Sequence, residues 1–175
     1  DMAVESQLIL EAIDVDFATL YQNATDTHSY LSFTQMFSDS SVSKRDDVCY
    51  IQHAYRALEL GDESDSWRRC AVSPDHCRFG KWYSPGDGSE NFCQWPSYQQ
   101  IDPPHRAVHE GVHCVLALAA DDWNGSAAVQ EQILAAFREV EDRSDDLMAL
   151  ISGLAEEKQQ LAGAGSAERD PIDPP

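Results

Sequence analysis

The sequence predicts an all-α protein: a domain of the four-helix-bundle type preceded by an N-terminal helical arm. Three observations carry that expectation. Apolar residues recur at three- and four-residue spacing in several separate stretches, the period of helices with one buried face. Between those stretches lie runs of Ser, Asp, Gly and Pro, which cap or break helices. A length of 175 residues suffices for one domain with a sizeable core and an appended arm.

Taken in order, residues 5–22 carry Leu10, Ile13, Phe17 and Leu20 at 3-4-3 spacing, an amphipathic helix. Residues 28–38 continue an aromatic face through Tyr30, Phe33 and Phe37, and the run Ser38-Asp-Ser-Ser-Val-Ser43 predicts a joint. A second helix is expected from about Asp46 to Leu60, with Val48, Ile51, Tyr55 and Leu58 as its buried stripe and Gly61 at its end. Residues 62–104 concentrate Pro, Gly and aromatic residues, which reads as a structured connection with one or two short helical turns and no sheet. Asp102-Pro103-Pro104 is a helix start, because proline loses nothing in a first turn. The third helix, about 104–121, should bury Val108, Val112, Val115 and Ala119. After the turn Asn124-Gly125-Ser126, a fourth helix over about 127–162 shows Ile133, Phe137, Val140, Leu147, Ile151 and Leu154 in one stripe, interrupted by the polar Ser144. A stripe that narrow fits either a dimer seam or a bundle core. The expected organisation is a helical lead-in over 1–45, a domain over 46–162, and a disordered tail over 163–175.

Charge excludes some partners. The formal net charge is −19, which repels phosphate backbones and anionic lipid, so neither nucleic acid nor a membrane surface is an expected partner. Five cysteines, an odd number in a chain of this length, fit a reducing compartment with thiols left for metal or redox work. No secretory h-region and no run of 18 apolar residues is present, so the segment itself is expected to be soluble. The chain opens Asp1-Met2 straight into a helix, as a piece of something longer would, and its parent is expected to be either soluble or membrane-anchored.

The residues with the most specific chemistry are Cys77-Arg-Phe-Gly-Lys-Trp-Tyr83 and His105-Arg-Ala-Val-His109. Histidines at i and i+4 lie about 40° apart on a helix and can close on one ion. A cysteine from a separate turn adds a soft thiolate, which selects zinc over magnesium or calcium. Each of these residues alone reads more simply as a core histidine or a buried cysteine; their combination points to a metal site. For a fourth ligand two candidates compete. His53 is the better donor, but its helical angle faces it away from the expected stripe; Asp47 lies at the buried edge, where it could equally cap the helix. His109-Glu-Gly-Val-His113 also satisfies the HExxH pattern of zinc hydrolases, with Glu110 as general base, but leaves Cys77 and the His105 spacing unexplained.

These residues, with Trp95-Pro-Ser-Tyr98 and the closing Phe137-Arg-Glu-Val-Glu-Asp-Arg-Ser144-Asp-Asp-Leu147, resemble the chemoreceptor zinc-binding domain over about Asp46 to Leu154. Residues 1–45 resemble the helical stretch that precedes this domain in methyl-accepting chemotaxis receptors. The resemblance implies a helical bundle, often homodimeric, that binds one zinc ion through three histidines and one cysteine. It implies a cytoplasmic sensor, not an enzyme, joined to an output domain of the same parent chain and answering to zinc or to oxidants such as hypochlorous acid. By that pattern Cys77, His105 and His109 carry over. The first ligand does not: Asp47 stands where the family has histidine, with Tyr50 in the place of the following aromatic. Two other readings remain at this point, a metal-free structural dimerisation module and the HExxH hydrolase.

Overall fold

The computed structural model describes residues 2–84, 86–120 and 123–167. Among them the chain is helical: α1 (Met2–Leu60), α2 (Asp65–Cys70), α3 (Arg78–Tyr83), α4 (Asp87–Phe92), α5 (Pro96–Gln99), α6 (Asp102–Ala119), a 3-10 turn (Trp123–Gly125) and α7 (Ala127–Ala167). The all-α expectation holds, and four helices supply the central core.

The first correction concerns α1. The expected joint at 38–43 is absent, and one helix runs from Met2 to Leu60. The physical reason is that this span holds neither glycine nor proline. Capping residues end a helix only where the backbone departs from helical angles; otherwise they adapt to it. The threonine hydroxyls do so here, each donating to the carbonyl four residues back: Thr19 to Val15, Thr25 to Tyr21, Thr27 to Asn23 and Thr34 to Tyr30. The helix ends at Gly61, whose φ of 82° is left-handed and whose N–H donates to the Ala57 carbonyl.

The chain forms two compact units, residues 1–38 and 39–175. In the first, Leu10, Ile13, Phe17, Leu20 and Leu31 are exposed. In the second, Ala54 and Ala57 of α1, Cys70 of α2, Val108, Val112, Val115 and Leu116 of α6, and Ile133, Phe137 and Val140 of α7 make one core. The stripes read for α6 and α7 are the buried ones, save that Ala119 is only half-buried; Leu147, Ile151 and Leu154 extend the α7 stripe.

The stripe expected on α1 holds in half: Ile51 and Leu58 pack against the core, and the other two residues stay at its edge. Val48 and Tyr55 are exposed, while Asp47, Ala54 and Ala57 are buried. Small side chains let α1 approach its neighbours closely, and the larger Tyr55 is turned to the edge. There its ring stacks on Phe137 at 4.0 Å and its hydroxyl donates to Glu141 at 2.6 Å.

The connection is more helical than expected, with α2 to α5 all falling within it. Phe79, Trp82, Tyr83, Phe92, Trp95 and Tyr98 pack ring against ring as a satellite cluster of α3 to α5. Pro103 and Pro104 occupy the first turn of α6 as anticipated. Finally, α7 continues to Ala167, into the tail expected to be disordered; residues 168–175 lie outside the described residues.

Candidate metal centre

Cys77 is the N-cap of α3. Its Sγ accepts from the Gly80 amide at 3.1 Å and lies 3.2 Å from the Pro74 carbonyl oxygen. That loop can close only on glycine: a Cβ at Gly80 would stand 1.9 Å from the Pro74 carbonyl oxygen. Burial pushes the Cys77 thiol above its ordinary value, while the amides of Gly80 and Phe79 pull the other way. Those amides are aimed at a sulfur that gains negative charge when it loses its proton.

From α6, His105 and His109 project into the interior, 4% and 3% exposed. His105 Nε2 is 3.3 Å from Cys77 Sγ, joining positions 28 residues apart in sequence. His109 Nδ1 lies 3.0 Å from the Val72 carbonyl, which can only accept; Nδ1 therefore carries the proton and Nε2 keeps its lone pair. The His109 ring lies 4.3 Å from Tyr50, and the His105 ring 4.8 Å from Phe79, so aromatic faces fix both imidazoles. Burial lowers each histidine to about 4. Both rings are consequently neutral near pH 7, the form that donates to a metal.

One donor atom from each of Cys77, His105 and His109 falls within 4.8 Å of the others. Two imidazole nitrogens and a sulfur, buried and separately oriented by hydrogen bonds, fit zinc, which prefers nitrogen and sulfur donors at about 2.0–2.3 Å.

A cavity of about 360 Å³ adjoins these donors and is also lined by Asp47, Tyr50 and His53. Asp47 is buried, and its Oδ2 accepts a hydrogen bond from the Ser144 hydroxyl of α7. Burial raises its carboxyl above the ordinary value, partly offset by the Ser144 bond. Its carboxylate is not one of the three clustered donors. His53, expected to face solvent, is half-buried instead, with Nδ1 3.2 Å from Ser66 Oγ.

His113 is drawn the other way, its Nε2 3.0 Å from the Cys70 carbonyl, and Glu110 is exposed. Thus the histidine that joins His109 in the cluster is His105, four residues before it, and the HExxH pair is not assembled. Ser144 was visible in the sequence only as a polar gap in an apolar stripe. Its partner could not be read there, being 97 residues away.

Fold and cluster together define a helical domain built around a cysteine–histidine cluster that could hold a metal. Residues 48–116 match the family model of the Chemoreceptor zinc-binding domain, the family recognised from the motifs. The matched stretch contains Cys77, His105 and His109 and begins one residue after Asp47. The cofactor of that domain is zinc, and the clustered donors suit it. No curated protein and no solved structure matches the chain. Among the described residues, no helix is long and apolar enough to cross a membrane.

Proposed function

We propose that this chain is a cytoplasmic zinc-binding sensory domain of a chemoreceptor-type signalling protein, and that Cys77, His105, His109 and Asp47 hold the ion. The observation that carries the reading is the meeting of the Cys77 sulfur with the two α6 imidazoles. Asp47 enters because it is a buried carboxylate on the same cavity, with no ion pair among the described residues. Buried charges are ordinarily paired or bound to metal.

When bound, zinc would keep the thiolate ionised and tie the loop before α3 to α6 and α1, so that binding free energy becomes packing free energy. The chain's own residues do the rest. The Val72 carbonyl holds the His109 tautomer, the Gly80 amide orients the sulfur, and Tyr50 and Phe79 shield the rings from water. Two-electron oxidation of Cys77 by an oxidant such as hypochlorous acid would turn the thiolate into a sulfenic acid and remove a ligand. Loss of that ligand loosens α3 from α6, and the long helices carry the change to an output domain of the parent chain. A second copy of the chain is the expected partner.

Metal analysis of purified protein tests this reading. About one zinc per chain is expected, falling well below one in Cys77→Ser and in His109→Ala. Absence of zinc from the wild-type protein, or unchanged content in both variants, would overturn it. Peptidase or esterase activity lost in Glu110→Gln would revive the hydrolase.

A further inference from the structure

α7 carries its apolar stripe through Val140, Leu147, Ile151 and Leu154, and every one of these is buried. The position four residues after Val140 belongs to the same face, yet it is Ser144, only 6% exposed. A hydroxyl at a core position costs stability unless it is hydrogen-bonded. Among the described residues, the side-chain partner of Ser144 is the carboxylate of Asp47 on α1.

Asp47 poses the complementary problem. It is 9% exposed and, among the described residues, has only a neutral donor against it. The nearby arginines are engaged elsewhere: Arg45 and Arg78 both lie against Asp46. Lys44, the cation beside Arg45 on α1, donates to Ser152 at 2.6 Å. Ser144 occupies Oδ2, and among the described residues no hydrogen bond engages Oδ1. One carboxylate oxygen is therefore held by α7, and the residue borders the cavity that Cys77, His105 and His109 also line.

We infer that Ser144 is the positioning residue of the zinc site: its hydroxyl holds the Asp47 carboxylate at the wall of the metal cavity, beside the three clustered donors, and so ties α7 to the site. This rests on the zinc reading above and adds to it a fourth strand of attachment. Cys77 brings the loop before α3, His105 and His109 bring α6, Asp47 brings α1, and Ser144 brings α7 without touching the ion. Carboxylates that ligate metals are commonly oriented by such a donor on their outer oxygen, and its removal weakens metal binding about 10–100-fold. The pair also explains why serine interrupts an otherwise apolar seam. Ion occupancy would thereby reach α7 directly.

The experiment is a double-substitution cycle read as zinc affinity, by competition with a chromophoric chelator. Ser144→Ala should weaken zinc about tenfold, and Asp47→Ala should weaken it at least as much. In the Asp47→Ala background, Ser144→Ala should then have no further effect. Ser144→Thr, which keeps the hydroxyl, should restore most of the affinity. A residue that merely packs would change the melting temperature of the metal-free protein without that dependence on Asp47.

Hydrogen exchange on wild-type protein supplies a measurement independent of any variant. Zinc should slow exchange of α7 amides around Ser144 as well as those of α6. Wild-type affinity in Ser144→Ala, an equal loss in both backgrounds, or zinc protection confined to α6 would each overturn the inference. So would unchanged affinity in Asp47→Ala. Failure of the wild-type protein to bind zinc would instead overturn the underlying zinc reading.

Discussion

At the residue scale, the site depends on buried groups that must be neutral before a metal arrives. His105 and His109 have an ordinary value of 6.5 and are lowered by burial to about 4 in the folded protein. Between those values the unfolded chain holds more protons than the folded one. Their contribution to stability is therefore complete above about pH 6.5 and is lost as pH falls toward 4. For chelator-treated protein, denaturant titrations across this range should show stability falling by up to about 1.4 kcal/mol per pH unit for each histidine. A flat profile would mean that the imidazoles are solvated. Gly80 provides a second test, because added bulk there collides with backbone, the Pro74 carbonyl. Gly80→Ala should cost about 1–3 kcal/mol, measured as denaturation midpoint, and should weaken zinc by displacing the Cys77 loop. The three clustered donors were legible in the sequence because helical spacing puts two of them together and a glycine-aromatic turn offers the third. Asp47 was legible as a departure from a pattern. The Ser144 contact was not, since nothing local signals a partner on a distant helix.

At the element scale, periodicity gave the buried faces of α6 and α7 but only part of that of α1, where Ile51 and Leu58 pack against the core and Val48 and Tyr55 are exposed. The difference lies in side-chain size. On α6 and α7 the buried positions are filled mainly by large apolar residues, although Leu134 of α7 is exposed. On α1 the buried apolar positions are Ala54 and Ala57, fully inaccessible, while Val48 and Tyr55 are 43% exposed. Hydrophobic ranking favours valine and tyrosine over alanine, whereas close approach of helices favours alanine. The two readings differ in what substitution should do. Ala54→Leu should overpack the contact with α6 and α7 and cost about 1–3 kcal/mol. Val48→Ala should stay within about 0.5 kcal/mol of wild type. Thermal denaturation of both variants checks the assignment, and reversal of their order would restore the stripe read from sequence. The missing joint in α1 has a related cause: serines and aspartates end helices only where glycine, proline or a tertiary contact turns the chain, and none turns it here.

At the scale of the whole molecule, two features of the first unit pull in opposite directions. Leu10, Ile13, Phe17 and Leu20 are exposed at the 3-4-3 spacing of a coiled-coil seam, and Leu31 falls in the same seven-residue register. A lone helix with such a face gains by pairing, and a second copy of itself is a complementary partner because the same spacing recurs on it. Charge opposes this. No lysine or arginine precedes Lys44, while Glu5, Glu11, Asp14, Asp16 and Asp26 are all acidic. In a symmetric pair those charges face like charges, so repulsion should be strong at low salt and screened above about 0.1 M, where the Debye length falls to about 10 Å. Apolar burial is not weakened by that screening. Dimerisation should therefore tighten as sodium chloride is raised, the reverse of what an ion-pair interface would show. Light scattering coupled to size exclusion should find a larger dimer fraction at 0.5 M than at 0.05 M salt. Phe17→Glu together with Leu20→Glu should give monomer at both while leaving zinc content unchanged, because the ligands lie in the other compact unit. A dimer that weakens with salt, or that survives the double substitution, would place the interface elsewhere.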